Sequence, residues 1–170
     1  MGGRDGLLVD LFRQNTWASL RLLDMARTLT ADQLHSDAKG TYGSIIDTLN
    51  HYIRSEAGYL PEAKVARPAW TKGGARADVD NLDELRRRVE VSGELWQRYL
   101  DDPLDGDEML SLDGGLYECR ATVPVVQALN HATLHREQVC SILTWIGVEP
   151  PDLQAWAWAE DTGHLRAVPG

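Results

Sequence analysis

A chain of 170 residues, with 17 Lys and Arg against 26 Asp and Glu and a net charge of −9, fits one domain spanning residues 1–170 and needs no disulfides to fold. The acidic balance argues against duplex DNA, RNA or an anionic membrane surface as partner, because phosphate affinity comes mainly from clustered cations. No apolar run approaches the ~18 residues that span a bilayer, the MGGRDG start lacks a signal-peptide pattern, and Cys119 and Cys140 make no disulfide framework, so a cytoplasmic protein is expected.

The first long segment, from about Asp5 to Leu29, carries Leu8, Leu11, Phe12, Leu22, Met25, Ala26 and Leu29 at helical spacing, broken in the middle by polar Asn15 and Thr16. Thr30-Ala-Asp-Gln-Leu reads as its exit, and Lys39-Gly-Thr as a loop. A second helix starts near Ser44, where Ser44 and Asp47 make a Ser-x-x-acid pattern that caps exposed amides of the first turn. It runs through Ile45, Ile46, Leu49, Tyr52 and Ile53 to about Leu60, where Pro61 ends or bends it.

Residues Pro68 to Ala77 hold no periodicity and read as a loop. A third helix is predicted over Leu82–Leu100, capped by Asn81 with Glu84 three residues on. Its Arg86, Arg87 and Arg88 read as a solvated face paired with nearby acids. Asp113-Gly-Gly between Met109–Leu112 and Leu116–Thr122 predicts a short hairpin, which must lean on the helices to be stable. The fourth helix, Val123 to Ile146, is the most apolar, with Pro124 tolerated in its first turn and Gly147 at its stop. After Pro150-Pro151, Asp152 can cap a short helix holding Trp156 and Trp158. The fold class expected is all-α, a four-helix bundle with a small hairpin before the last long helix.

Of the five histidines, His131 and His135 carry the strongest signal. At about 100° per residue they fall within about 40° of each other, on an arc shared with Ala128, Gln138, Val139, Ile142 and Ile146 that the bundle must bury. Imidazoles one turn apart, with β-carbons about 5–6 Å from each other, suit a single metal ion. The alternative is a pair of core histidines hydrogen-bonded to backbone or buried water. On the second helix, His51 lies at the edge of the arc of Ile45, Thr48, Tyr52 and Ser55, within reach of the pair if that helix is buried broadly. One ligand from one helix and two from another is a sound way to build a metal site inside a bundle. His35, in a polar loop, and His164, in the tail, are not expected to take part. Neither cysteine falls on the histidine arc, and both read as structural thiols. There is no His-Glu-x-x-His, no pair of Glu-x-x-His motifs, no Gly-rich phosphate cradle and no Gly-x-Ser-x-Gly elbow.

Taken together, the motifs resemble those of the DinB-like, or YfiT-like, family. The resemblance runs from about Leu8 to Pro151. It rests on Asn15, on Ser-Ile-Ile-Asp-Thr-Leu-Asn-His ending at His51, on the Asp-Gly-Gly hairpin, on Asn-His-Ala-Thr-Leu-His-Arg-Glu-Gln from Asn130 to Gln138, and on Gly-Val-Glu-Pro-Pro. The resemblance implies a bundle with up-down-down-up connections and one divalent ion, zinc or nickel, on residues matching His51, His131 and His135. The family's common His-Arg-Gly-Gln reads His-Arg-Glu-Gln here, and Glu137 points away from the histidine arc.

Characterised relatives include thiol-dependent S-transferases and isomerases that use bacillithiol, mycothiol or glutathione. The implied function is therefore a metal-dependent transfer of a low-molecular-weight thiol to a small molecule, or a metal-dependent hydrolysis. The competing class is a metal-binding or stress-response bundle without turnover. Dimers are frequent in the family, which allows a homodimer here. Around the site, Gln138 and Asn15 are candidates to line the pocket, and Glu56 is a candidate to accept the second N–H of a ligating imidazole. No residue is assigned as general base.

Overall fold

The computed structural model describes residues 4–112 and 114–168. Asp113, in the expected hairpin turn, lies outside the described residues. Helix α1 spans Arg4–Ala26 and stops at Ala26 rather than at Leu29. The stretch expected to be a plain exit contains a four-residue helix, α2 (Ala31–Leu34). Its cause is local: the Thr30 hydroxyl accepts the Gln33 amide at 3.3 Å while the Gln33 side chain accepts the Thr30 amide at 2.9 Å. Such a reciprocal cap stabilises a single turn that is too short to carry a periodic pattern. Ser44 and Asp47 form the same box at the start of α3 (Ile45–Gly58), as their spacing requires.

Two single 3-10 turns, Ala69–Thr71 and Gly74–Ala77, shape the segment expected to be a loop. Helix α4 (Leu82–Leu100) begins where Asn81 accepts the amides of Asp83 and Glu84 at 2.9 and 3.0 Å. Its three arginines do not share one environment, which corrects the expectation of a solvated face. Arg86 and Arg87 pair with Asp24 and Glu84 at the surface. Arg88 is buried, donating to Glu84 and to the Ala77 carbonyl, because the 3-10 turns fold back over it.

Strands β1 (Met109–Leu112) and β2 (Tyr117–Arg120) pair antiparallel, Met109 opposite Arg120 and Leu112 opposite Tyr117. Gly114 and Gly115 take φ of 70° and 95° between them, a turn that residues with a β-carbon resist. Helix α5 (Thr122–Trp145) ends at Gly147, φ 77°. There the Val148 amide donates to the Leu143 carbonyl and the Gly147 amide to Thr144, the paired bonds of a Schellman stop. In α6 (Ala155–Asp161) the N-cap is Gln154, without a side-chain bond. Asp152, the expected cap, instead accepts the Gln154 amide in the turn before the helix, because the helix starts two residues too late for it.

Helix α1 packs against α4 and α5, and α3 packs against the same two. One apolar cluster joins Leu22, Ile45, Leu49, Tyr52, Leu85 and Ile142. A second joins Phe12, Leu60, Trp96, Leu100 and Val125, with Trp96 stacked on Phe12 at 4.4 Å between centroids. Among the described residues no helix is long and apolar enough to cross a membrane.

The α1–α4 contact depends on Gly93. A β-carbon there would sit 2.6 Å from Thr16 Oγ1 and 3.0 Å from Thr16 Cγ2. Gly93→Ala gains roughly 1 kcal/mol of helix propensity, but overpacking a fixed contact costs roughly 1–3 kcal/mol. A thermal unfolding scan is therefore expected to give a lower midpoint for Gly93→Ala, and a raised midpoint would contradict this packing.

Candidate metal centre

The α3–α5 contact brings three imidazoles together. His51 lies midway along α3, and His131 and His135 sit one turn apart on α5. All three are half-buried, and one nitrogen from each lies within 4.8 Å of the others. Ring centroids are 5.0 Å apart for His51 and His131, 4.7 Å for His51 and His135, and 4.4 Å for His131 and His135. His51, which helical phase alone put at the edge of its arc, thus reaches the pair.

Proton positions follow from the partners. His135 Nδ1 stands 2.8 Å from Gln138 Oε1. That oxygen also accepts the Tyr42 amide at 3.3 Å, which an amide NH2 could not do, so the Gln138 orientation is fixed and Nδ1 of His135 must be the donor. Nε2 of His135 is left with its lone pair. Nε2 of His51 and Nε2 of His131 face each other at 3.1 Å; two neutral rings so placed either share one proton or offer both lone pairs to a common cation. An ion bound tetrahedrally about 2.0–2.1 Å from two imidazole nitrogens holds them roughly 3.3 Å apart, so the His51–His131 spacing and the all-nitrogen donor set fit one divalent transition-metal ion. Nδ1 of His131 is buried without a hydrogen-bond partner.

Burial, followed by the charge of His135, lowers the pKa of both His51 and His131 to about 4, with Arg54 adding to the first and His51 to the second. Both rings are therefore unprotonated at neutral pH with their lone pairs available. An unfolded histidine titrates near 6.5, so between pH 6.5 and 4 the unfolded chain binds more protons than the folded one, and the metal-free protein loses stability as pH falls through that window. Urea midpoints of metal-free protein at pH 7.5 and 5 are expected to show this loss, and a His51→Gln/His131→Gln variant is expected to flatten it.

Gln138 lies against the cluster, while Asn15 and Glu56 do not. The latter two lie in a buried chain of hydrogen bonds through all four long helices. Arg136 Nη1 donates to Asn15 Oδ1 at 2.7 Å, Asn15 Nδ2 donates to Glu56 Oε2 at 2.7 Å, and the Ser92 hydroxyl donates to Glu56 Oε1 at 2.8 Å. Arg136 and Glu56 are each 4% exposed and Asn15 1%. Burial pushes the Glu56 carboxyl up, against the hydrogen bonds from Ser92 and Asn15 and the charge of Arg136. The expectation that Glu56 accepts an imidazole N–H is thus corrected: both its oxygens are taken by other donors. The reason is helical phase, since five residues place Glu56 about 140° around α3 from His51, facing the core rather than the rim.

Arg136 is a core residue that its own stretch of sequence does not mark, because Asn15 and Ser19, which neighbour it in the core, lie on another helix. Two aromatic neighbours also escape a reading of the sequence. Tyr42 stacks on His51 at 3.9 Å between centroids, and Tyr59 meets His131 edge-on at 5.5 Å. The placement of Tyr42 just before the Ser44 cap was the one available signal. His35 lies 3.9 Å from Asp80 at the surface and His164 stacks on Trp158, both apart from the triad. Cys119 and Cys140 are free thiols, and burial pushes Cys140 up to about 11. Glu137 is exposed.

A mostly helical protein with three convergent imidazoles, two from one helix and one from another, is a protein with a candidate site for a single divalent ion. The chain belongs to the DinB family, whose profile matches residues 4–163, nearly its whole length. No curated protein matches it.

Proposed function

We propose that this chain is a metal-dependent enzyme that transfers a low-molecular-weight thiol to an electrophilic small molecule, with His51, His131 and His135 holding one zinc or nickel ion. The reading rests chiefly on the convergence of three imidazole nitrogens within 4.8 Å at a half-buried position. Three protein ligands leave a coordination position open, the pattern of catalytic rather than structural sites. A bound divalent ion supplies Lewis acidity, which makes a thiol or a water acidic near neutral pH.

The chain's own residues provide the setting. Gln138 accepts a hydrogen bond from the Nδ1–H of His135 and so leaves its Nε2 lone pair for the site shared with the other two rings. Burial keeps His51 and His131 unprotonated. The half-exposed rings leave the cluster accessible to a small molecule, and the aromatic neighbours are tyrosines rather than a closed wall of tryptophan.

The same reading includes a single domain built as an up-down-down-up bundle. Phe12 early in α1 and Val125 early in α5 share one apolar cluster, while Leu22 and Ile142 late in the same helices share the other, which supports parallel α1 and α5. Ile45 and Leu85 begin α3 and α4 in the cluster that α1 reaches last, and Leu60 and Trp96 follow in the other, which supports the opposite direction for that pair.

Assaying zinc-loaded, nickel-loaded and chelator-stripped protein with glutathione, bacillithiol or mycothiol and an aryl halide tests the proposal. Turnover is expected to need both metal and thiol. Full activity in stripped protein, or metal-dependent ester hydrolysis with no thiol requirement, would overturn it.

A further inference from the structure

The segment between α2 and α3 is built more firmly than a connection requires. The Thr41 hydroxyl lies 2.8 Å from the Ala38 carbonyl and 3.1 Å from the Gly43 carbonyl, and it accepts the Ala38 amide at 3.3 Å. The Ile45 amide donates to the Ser36 carbonyl at 3.0 Å. Gly43 lies so close to the Ser44–Asp47 box that a β-carbon on it would stand 3.1 Å from Asp47 Cβ. At the tip of this loop is Tyr42, a large ring left 53% exposed.

Tyr42 makes three contacts with the candidate centre. Its ring lies flat on His51, centroids 3.9 Å apart and planes 19° from parallel. It meets His135 edge-on at 5.5 Å. Its amide donates to Gln138 Oε1 at 3.3 Å, the atom that also accepts the hydrogen bond from His135 Nδ1–H. One loop residue therefore touches two of the three imidazoles and shares the hydrogen-bond acceptor that orients the second. Flat and edge-on aromatic contacts of this kind favour one ring orientation over others.

Resting on the metal reading above, we propose that Tyr42 is a positioning residue of the centre. Its ring clamps His51, and its backbone, through Gln138, steadies His135, so that the ion is held by rings that cannot swing away. The clamp acts through the ligands and is not itself a ligand. Residues that only support metal ligands change metal affinity by roughly 10–100-fold when lost, and the effect here falls on the rate of ion loss.

The test uses the full-length zinc-loaded protein and follows transfer of zinc to an excess of chromogenic chelator. Tyr42→Ala is expected to release zinc roughly 10-fold faster than wild type, and Tyr42→Phe within about twofold of it, because the ring and not the hydroxyl makes the stack. The thermal midpoint of the metal-free protein is expected to be the same in all three. A wild-type release rate in Tyr42→Ala overturns the proposal, as does release from Tyr42→Phe as fast as from Tyr42→Ala.

A second readout needs no metal. The His51 ring protons of the metal-free protein are expected to be shifted upfield in wild type and Tyr42→Phe, and to return to ordinary positions in Tyr42→Ala. Equal shifts in all three overturn the clamp while leaving the three-histidine site intact. A wild-type chain that takes up no zinc removes the metal reading and the clamp together, even if the ring shifts confirm the stack.

Discussion

Replacing His131 by alanine is expected to weaken zinc binding by more than about 100-fold, since losing a group that merely supports a ligand already costs up to about that much. His131 is the choice among the three because its Nε2 faces His51 at 3.1 Å and its ring lies nearest to that of His135. The same change is not expected to lower the stability of the metal-free protein. It removes a buried Nδ1 without a partner and a ring that resists protonation, and it puts the best helix former inside α5. Competition with a chelator of known affinity measures the first effect, and urea unfolding of metal-free protein the second. Loss of fold together with loss of metal would make His131 a core histidine, and zinc affinity equal to wild type would remove it from the site.

The second large effect lies in the buried chain. Glu56→Leu leaves the Arg136 guanidinium without its only carboxylate in the network and strips Asn15 and Ser92 of their acceptor. Leaving a buried donor without its acceptor costs roughly 1–3 kcal/mol, two such donors are stranded here, and leucine roughly preserves the volume, so a cavity contributes little. Urea denaturation is expected to give a loss of that size. Adding Arg136→Met to the same chain is expected to restore much of it, because no unbalanced charge then remains in the core. A loss below about 1 kcal/mol for Glu56→Leu alone would mean that Asn15 and Ser92 do not depend on Glu56 as their acceptor.

The fold was legible where local rules act alone. Ser44 with Asp47, Asn81 with the amides of Asp83 and Glu84, and Gly147 each mark a helix end by chemistry contained within a few residues. The three histidines were legible for a different reason: two of them share a helical arc, and the order of motifs around them matches the family. Gln138 followed from spacing, since a residue three positions on stands beside His135 on the helix surface.

What stayed hidden depends on how helices rotate against one another. Phase assigns an arc to His51 but not its distance from a second helix. Arg136, next to a ligand candidate in the sequence, turns about 100° away from it and enters the core, where a charged side chain is admitted only with partners. Thr133 lies one turn away on α5, but the partners that neighbour Arg136 in the core, Asn15 and Ser19, come from α1, so no window of sequence around Arg136 reveals them. Tyr42 was hidden because it sits in a short irregular loop whose course is set by the Thr41 hydroxyl and by Gly43.

Elemental analysis of the freshly purified protein, before and after reloading with zinc or nickel, bears most directly on the central claim that three imidazoles form a metal site. Close to one ion per chain is expected, lost when His51, His131 and His135 are replaced together. A chain that carries no ion as purified and takes up none on reloading would contradict it.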